Sequence, residues 1–312
     1  MKNYILTVTL NPAIDKTIRI RGFRAGHDHR FKDIYYSAGG KGINVSRALQ
    51  KLKVDTVATG FVGGPSGKYI KVTLSDENIP YDFVDIKDDT RTSLTIIDSK
   101  TRQLTRVLEQ GPGVSPGDIA AFRKKFLKLL KRCQYVIFSG RNIPGTGNDF
   151  YYELILLAHH YNKKAVLDTS GEPLIKGLEA RPYLIKPNLH EAEYALQQKL
   201  NTRAEIKRAV QSFLDMGVEN VIISLGKKGV IASDGGGSFL ASPPVKKTVN
   251  TVGCGDALVG GFVYARIKGY SFKKSVQFGV ATGTANSLNM QPGYFTRIKV
   301  ARLAREVKVV KI

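Results

Sequence analysis

Apolar positions along this chain follow two alternating periods, and the alternation predicts an α/β fold. Short apolar runs typical of buried strands occupy 4–10, 54–61, 135–139, 164–168, 183–186 and 221–225. Between them, amphipathic patterns predict helices at 43–52, 68–77, 115–131, 149–161, 189–198 and 202–216. Since strands that alternate with helices build a parallel sheet covered on both faces, we expect a mostly parallel central sheet.

Two segments, 13–37 and 81–109, interrupt that rhythm. Extended pieces are predicted within them at 17–20, 31–36, 81–86, 93–97 and 103–108, the last two joined by a hairpin loop at 98–102. We expect these pieces to form a small second sheet inserted into a single domain that spans 1–312. A small sheet beside the edge of an open α/β fold is well placed to act as a lid that excludes water.

The most informative turn lies at 253–256, where the sequence is Gly-Cys-Gly-Asp and an apolar run follows. This pattern predicts a tight turn that opens a helix, whose free amides bind anions. Asp256 is unexpected if this turn only binds phosphate, because the carboxylate would repel it. Its presence is explained if Asp256 takes a proton from a nucleophile while the amides hold the phosphoryl group. The alternative for the turn alone is an ordinary helix start with an acidic first turn. Neither a dinucleotide fingerprint nor a Walker A loop fits, since Leu258 and Tyr69 break the two patterns.

The charge balance is unusual, with 48 Lys and Arg against 26 Asp and Glu and a net charge of +22. Such a chain binds polyanions such as nucleic acid, or binds small phosphorylated substrates and carries a basic surface. The basic residues are spread out, and the densest group, 123–132, has the pattern of a solvated helix face. Nucleic acid is therefore the less favoured partner.

No apolar run is long enough to span a bilayer, and the two cysteines, Cys133 and Cys254, show no metal or disulfide spacing. We expect a cytoplasmic protein without membrane contact.

Paired motifs then indicate a family. Residues 39–45 are Gly-Gly-Lys-Gly-Ile-Asn-Val, and 251–256 are Thr-Val-Gly-Cys-Gly-Asp. In this order and separation they resemble the ribokinase-like (PfkB) sugar kinases, over nearly the whole chain. Residues 9–15, Thr-Leu-Asn-Pro-Ala-Ile-Asp, are similar to the branch that phosphorylates hexose phosphates. The resemblance implies a ribokinase-like three-layer sandwich with the small sheet as lid, and it implies ATP and Mg²⁺ as cofactors.

The resemblance also implies roles for individual residues. Asp256 would be the catalytic base, and Gly253, Cys254 and Gly255 would form the anion hole. Substrate binding is implied for Asp15, Gly39, Gly40, Lys41, Asn44, Arg91, Ser139 and Arg141, nucleotide binding for Lys186, Ser224, Gly226, Thr251 and Asn286, and metal binding for Asn188 and Glu191. Asp15 has a simpler alternative as a turn residue.

Two positions depart from the family pattern. Cys254 replaces the usual alanine, and its thiol beside the reacting phosphate suggests an enzyme that is sensitive to oxidation. Arg141 stands where a serine is usual, which leaves the substrate open. The resemblance implies an acceptor that already carries a phosphate, and Lys41 and Arg91 are the candidate cations for it. Arg30 on the lid is a third candidate, contributed across a homodimer formed through the lid, although an exposed Arg is as often a solvated surface charge.

Together these features predict an ATP-dependent kinase of a ketohexose monophosphate, with fructose 1-phosphate as the preferred acceptor. Tagatose 6-phosphate and fructose 6-phosphate remain alternatives, because 111–116 and 168–171 look similar to tagatose 6-phosphate kinases. A third hypothesis, from a different class, is a non-catalytic polyanion-binding protein that exploits the net charge.

Overall fold

The computed structural model describes residues 3–312, whose strands are numbered β1 to β14 along the chain. Fourteen strands in this range form two sheets. The larger sheet contains β1 (Tyr4–Thr9), β4 (Thr56–Gly63), β5 (Val84–Ile86), β8 (Cys133–Ser139), β9 (Lys164–Asp168), β10 (Leu184–Ile185), β11 (Asn220–Ser224), β12 (Val230–Ser233), β13 (Ser238–Ser242) and β14 (Lys308–Lys311). The small sheet contains β2 (Ala13–Ile20), β3 (Ile34–Gly39), β6 (Thr92–Asp98) and β7 (Leu104–Leu108).

The large sheet is parallel over most of its width. Its strand order is β14-β13-β12-β11-β10-β9-β8-β1-β4-β5, and every pair from β11 to β5 is parallel. The last three strands, β12 to β14, add an antiparallel edge that the sequence pattern did not predict. The predicted mostly parallel sheet is confirmed.

Helices cover both faces of this sheet and make three layers. The helices are α1 (Lys41–Lys51), α2 (Gly64–Asp76), α3 (Pro116–Leu130), α4 (Phe150–His160), α5 (Glu172–Glu179), α6 (Leu189–Leu196), α7 (Arg203–Asp215), α8 (Cys254–Ile267), α9 (Phe272–Ser287) and α10 (Arg297–Glu306). Along β1, Leu6 and Val8 join the apolar core beneath α3 to α7, whereas Ile5 joins the core beneath α1, α8, α9 and α10. Neighbouring strand residues point to opposite faces, so buried strands are apolar without a break.

The small sheet has the order β3-β2-β6-β7, with β2 and β6 parallel and the outer pairs antiparallel. One predicted piece does not belong to it. Strand β5, from the predicted extension at 81–86, pairs with β4 of the large sheet, because Val84 and Ile86 bury their side chains in the main core. The second inserted segment of the small sheet therefore begins at Thr92 and not at residue 81.

The carboxyl ends of β1, β8, β9, β10 and β11 lie at one edge of the large sheet, and ligands of open α/β folds bind at this edge. Among residues 3–312, no helix has the length and apolar character needed to cross a bilayer.

Candidate active site

The start of α8 holds a buried carboxylate. Gly253 adopts φ +73°, a left-handed conformation that favours glycine, and this residue turns the chain into the helix. Asp256 follows in the first helical turn and is 6% exposed. Its Oδ2 accepts a hydrogen bond of 2.9 Å from Nδ2 of Asn44 in α1. The two motifs that carried the resemblance are therefore in direct contact.

A cluster of charges lies beside Asp256. Asp168, at the end of β9, is 1% exposed, and its Oδ1 lies 3.2 Å from Nζ of Lys41 and 3.4 Å from Nζ of Lys186. The Lys41 Nζ also lies 3.7 Å from Oε1 of Glu191. Two ammonium groups thus face three carboxylates, which leaves the cluster short of positive charge.

These neighbours set the pKa of each group. Burial, and then the negative charge of Asp168, raise the pKa of Asp256 to about 6, although Lys41, Asn44 and Lys186 act in the opposite direction. Burial also raises the pKa of Asp168, but the charges of Lys186 and Lys41 outweigh burial and hold the pKa of Asp168 below its usual range. The two carboxylates therefore differ: Asp168 is a fixed anion, and Asp256 exchanges its proton near neutral pH, as a general base should.

A first cavity of about 400 Å³ opens beside Asp256, and the small sheet forms its other wall. Asp15, on β2, lines this wall. Burial raises the pKa of Asp15, while Arg91, Arg47 and Arg106 lower it. A Cβ at Gly39 would lie 2.2 Å from Cγ of Asp15, so only glycine allows the carboxylate this position.

A second cavity of about 560 Å³ adjoins the first on the far side of α8. Ser224, Thr251 and Gly255 line both cavities, and the second continues over Gly226 to apolar side chains such as Leu258. The two spaces thus meet at Gly255, one residue before Asp256. Two ligands bound there would face each other across the first turn of α8.

Most predicted site residues line these spaces. The first cavity is lined by Asp15, Gly40, Lys41, Asn44, Arg91, Lys186, Asn188, Glu191, Ser224, Thr251, Gly253, Gly255 and Asp256. The second is lined by Ser224, Gly226, Thr251, Cys254 and Gly255.

Four predicted residues lie behind or beside the cavities. Gly39 backs Asp15, as described above. Ser139 is fully buried at the end of β8, and Arg141 is exposed in the loop that follows. Asn286 supports the turn before α8, since its Nδ2 donates to the carbonyl of Val252 at 2.8 Å and its Oδ1 accepts from the amide of Gly293 at 2.7 Å. The structure places Asn286 as a brace for this turn.

Asn188 and Glu191 form a capping box at the start of α6. The Asn188 side chain accepts from the Glu191 amide at 3.0 Å, and Glu191 Oε2 accepts from the Asn188 amide at 2.8 Å. Within residues 3–312, no group of three or more His, Cys, Asp and Glu side chains is placed to hold a metal. Glu191 nevertheless lines the first cavity, and its Oε1, which is outside the capping box, lies 3.7 Å from Lys41 Nζ. A single carboxylate of this kind suits Mg²⁺ held mainly by water and phosphate oxygens.

The surroundings of the Cys254 thiol disfavour its reactive thiolate form. Its Sγ accepts a hydrogen bond of 3.5 Å from Asn286 Nδ2, and burial raises the pKa of the thiol. Since the thiolate is the reactive form, this environment argues against the expected sensitivity to oxidation.

Two charged residues of the site were missed by the sequence reasoning. The sequence contains a feature that could have identified Asp168, because this residue ends a predicted strand at the carboxyl edge of the sheet. Arg106 had none, since it lies on an exposed edge strand and reaches the first cavity only through the fold.

A carboxylate at a helix start, beside the junction of two adjoining cavities at the carboxyl edge of an α/β sheet, is typical of an enzyme that transfers a group between two bound ligands. The profile of the pfkB family carbohydrate kinases matches residues 8–295, and the chain belongs to this family.

The similarity to individual relatives extends over nearly the full length of the chain. It is 34% identical to a Bacillus subtilis protein named 1-phosphofructokinase, over 99% of this chain and 100% of that one. It is 31% identical to a tagatose-6-phosphate kinase of Staphylococcus epidermidis, with the same coverage. A solved structure described as a possible 1-phosphofructokinase of Thermotoga maritima has a TM-score of 0.92 and 30% identity, over 99% of this chain and 100% of that chain. The predicted family and fold class are thereby confirmed.

Proposed function

We propose that this protein transfers the γ-phosphoryl group of ATP to a ketohexose monophosphate, with fructose 1-phosphate as acceptor and fructose 1,6-bisphosphate as product. The observation that carries the proposal is Asp256, whose carboxylate lines the first cavity next to Gly255, where the two cavities meet, and has a pKa of about 6. The name of the Bacillus subtilis relative supports the choice of acceptor.

In the proposed reaction, the first cavity holds the sugar phosphate and the second holds the nucleotide. Asp256 accepts the proton of the acceptor hydroxyl as its oxygen bonds to the γ-phosphorus. The bond from that phosphorus to the β–γ bridging oxygen breaks, and ADP leaves. The amides at the start of α8 stabilise the transferred group, and Lys186 supports them, since its Nζ would lie 3.2 Å from a Cβ at Gly255.

Magnesium would be held at Glu191, with Asn188 fixing the position of that side chain through the capping box. When bound, the ion would neutralise charge on the nucleotide phosphates. Glu191 also keeps Lys41 directed toward the cluster, at 3.7 Å.

The decisive experiment measures ADP release with fructose 1-phosphate, fructose 6-phosphate, tagatose 6-phosphate and unphosphorylated fructose as acceptors. We expect the highest kcat/KM with fructose 1-phosphate. Asp256→Asn should lower kcat on the order of 100- to 10,000-fold while nucleotide binding persists. Turnover in this variant at the rate of the parent would remove Asp256 from the role of base.

Two rival functions are tested by the same assay. Tagatose 6-phosphate as the best acceptor would match the Staphylococcus epidermidis relative, at 31% identity. Absence of turnover with every acceptor, together with tight RNA binding that weakens steeply with salt, would favour a polyanion-binding protein.

We also propose a homodimer that forms through the small sheet. Its outer strands and the loop beside them expose large apolar side chains, namely Phe31, Tyr36, Leu104 and Val107. These exposed apolar side chains on the two edges of the small sheet support it as the interface. Light scattering should give twice the mass of one chain, and Val107→Glu should give monomers; a monomeric parent protein would contradict the proposal.

A further inference from the structure

A buried arginine lies behind the Asn44 side chain that contacts Asp256. Arg47 is 3% exposed and follows Asn44 on α1 at a spacing that puts the two side chains on one face of the helix. Its Nη1 donates to Oδ1 of Asn44 at 2.9 Å. Nδ2 of the same amide donates to Oδ2 of Asp256, also at 2.9 Å. Arg47 is therefore linked to the proposed base through a single side-chain amide.

Three further contacts hold the guanidinium of Arg47 in place. Its Nε donates to Oε2 of Glu77, just after α2, at 2.7 Å, and its Nη2 donates to the carbonyl of Ala38 in β3 at 2.9 Å. A Cβ at Gly293 would lie 2.6 Å from Cδ of Arg47, so the backbone of that loop packs directly on the side chain. Because a buried charge is stable only with partners, these separate parts of the chain fix the position of Arg47.

The fixed guanidinium decides which way the Asn44 amide points. An amide side chain has a donor end and an acceptor end, whereas a guanidinium only donates. The oxygen of Asn44 must therefore face Arg47, and its NH₂ group must face Asp256. Without Arg47 the amide would be free to turn over and accept a hydrogen bond from the protonated form of Asp256. The fixed amide offers a donor only, which favours the ionised form.

We propose that Arg47 is a positioning residue that locks the Asn44 amide as a donor to Asp256 and so helps to keep the base ionised. The inference deepens the proposed function and rests on it. Arg47 lines neither cavity, so it acts through Asn44 and not by touching a ligand.

The proton affinity of Asp256 also depends on other groups that face it. They come from β9, α1, the segment after β10 and α8 itself, and they are Asp168, Lys41, Lys186 and Cys254. A substitution of Arg47 changes none of these side chains. A change in the proton affinity of Asp256 then reports either the orientation of the amide or the charge of Arg47, and a second substitution separates these two effects.

The test follows the protonation of Asp256 by NMR titration of the aspartate carboxyl carbons, with the signal assigned by its absence in Asp256→Asn. In the parent protein we expect a midpoint of about 6. Arg47→Met keeps much of the bulk of the side chain and removes its donors. Its midpoint should rise by roughly one unit, because the hydrogen bond that favours the charged form is lost or reversed. An unchanged midpoint in Arg47→Met would overturn the proposal.

Asn44→Ala separates the amide from the charge of Arg47. The midpoint should rise in this variant too, and the addition of Arg47→Met should then change it by less than about 0.3 unit, because the two residues act through one contact. A second rise as large as the first would show that Arg47 acts by its charge alone, which would also contradict the proposal.

Lys51→Met is the matched control, since it removes a cation from the same helix at an exposed position that lines neither cavity. Its midpoint should equal that of the parent protein. If Arg47→Met does not fold, Arg47→Lys carries the test. The charge then remains for Glu77, but one ammonium group cannot replace the fixed fork that holds Asn44 and Ala38. We expect a midpoint between those of the parent and Asn44→Ala, and a midpoint equal to that of the parent would be the opposing result.

The titration needs no acceptor, so its outcome is separate from that of the proposed reaction. A raised midpoint in Arg47→Met supports the role of Arg47 even if the parent protein phosphorylates none of the four sugars. An unchanged midpoint contradicts this role even if turnover of fructose 1-phosphate is rapid. Where turnover is found, the pH profile of kcat/KM in Arg47→Met should move upward by the same amount as the midpoint.

Discussion

At the scale of single residues, the chemistry depends on two buried carboxylates that differ in their partners. Asp168 has two ammonium groups within 3.4 Å, whereas Asp256 has one amide donor at 2.9 Å and the negative charge of Asp168 nearby. Asp168 stays ionised for that reason and raises the proton affinity of Asp256. The proposed base is thus tuned by an anion that the proposed reaction does not consume.

The pH dependence of turnover follows from this arrangement. Asp256 accepts a proton only when it is ionised, so kcat/KM, which reports the free enzyme, should rise with pH through about 6 and become level above. The measurement is the pH profile of kcat/KM. In Asn44→Ala the carboxylate loses a hydrogen bond to its charged form, and the rise should move to higher pH. A profile of the parent protein that is flat between about pH 5 and 8 would contradict the assignment.

The same residue is predicted to cost stability. The pKa of Asp256 rises from 3.8 to about 6 on folding, so the folded state binds this proton more tightly, and the cost of ionisation grows as the pH rises through that window. Asp256→Asn should therefore raise the free energy of unfolding at pH 8 by roughly 1 to 3 kcal/mol. At about pH 3.5 the two proteins should be nearly equal. Urea unfolding at both values tests this, and a less stable variant at pH 8 would be the opposite result.

The Cys254 side chain should take no part in the reaction. Burial raises the pKa of its thiol. We expect Cys254→Ala to keep kcat within about twofold, because only a small, partly buried side chain is changed. Alkylation by iodoacetamide at pH 7.5 should be slower than that of free cysteine. Rapid labelling with parallel loss of activity would show an activated thiolate instead.

At the scale of elements, α6 shows how one motif serves two purposes. Asn188→Ala removes the side-chain cap and should lower the free energy of unfolding by about 1 kcal/mol, whereas Asn188→Asp keeps an acceptor there and should keep stability. Thermal or urea unfolding measures both. If the two variants lose equal stability, the cap is not what Asn188 supplies to the fold.

Helices and strands could be predicted correctly where the sequence pattern that indicates them is local. The strand at Lys164–Asp168 has the predicted bounds, because its apolar run is buried on both faces. Strand β5 was assigned to the wrong sheet, since alternation reveals a strand but not its partner. Most of the site residues predicted from motifs line the two cavities. The contact of Asp256 with Asn44 joins residues 212 positions apart, and it follows only from the packing of α1 against α8.

At the scale of the whole molecule, the net charge of +22 acts on substrates as a field. Both proposed substrates are anions, and a strongly basic protein raises their local concentration and their rate of capture. The charge need not indicate a nucleic-acid partner, because the densest basic helix, α3, exposes Lys124 and Lys128 to solvent and buries its phenylalanines in the core.

The electrostatic field should make substrate capture depend on salt. Salt shortens the range of the field, from about 30 Å at 0.01 M to about 8 Å at 0.15 M. We expect kcat/KM for fructose 1-phosphate to fall several-fold between these salt concentrations, with kcat nearly constant, because capture weakens and the buried chemistry does not. Unphosphorylated fructose, at saturating ATP, is the neutral control and should show little salt dependence. If the neutral and the charged acceptor lose kcat/KM equally, salt acts on the protein itself, and the basic surface does not serve substrate capture.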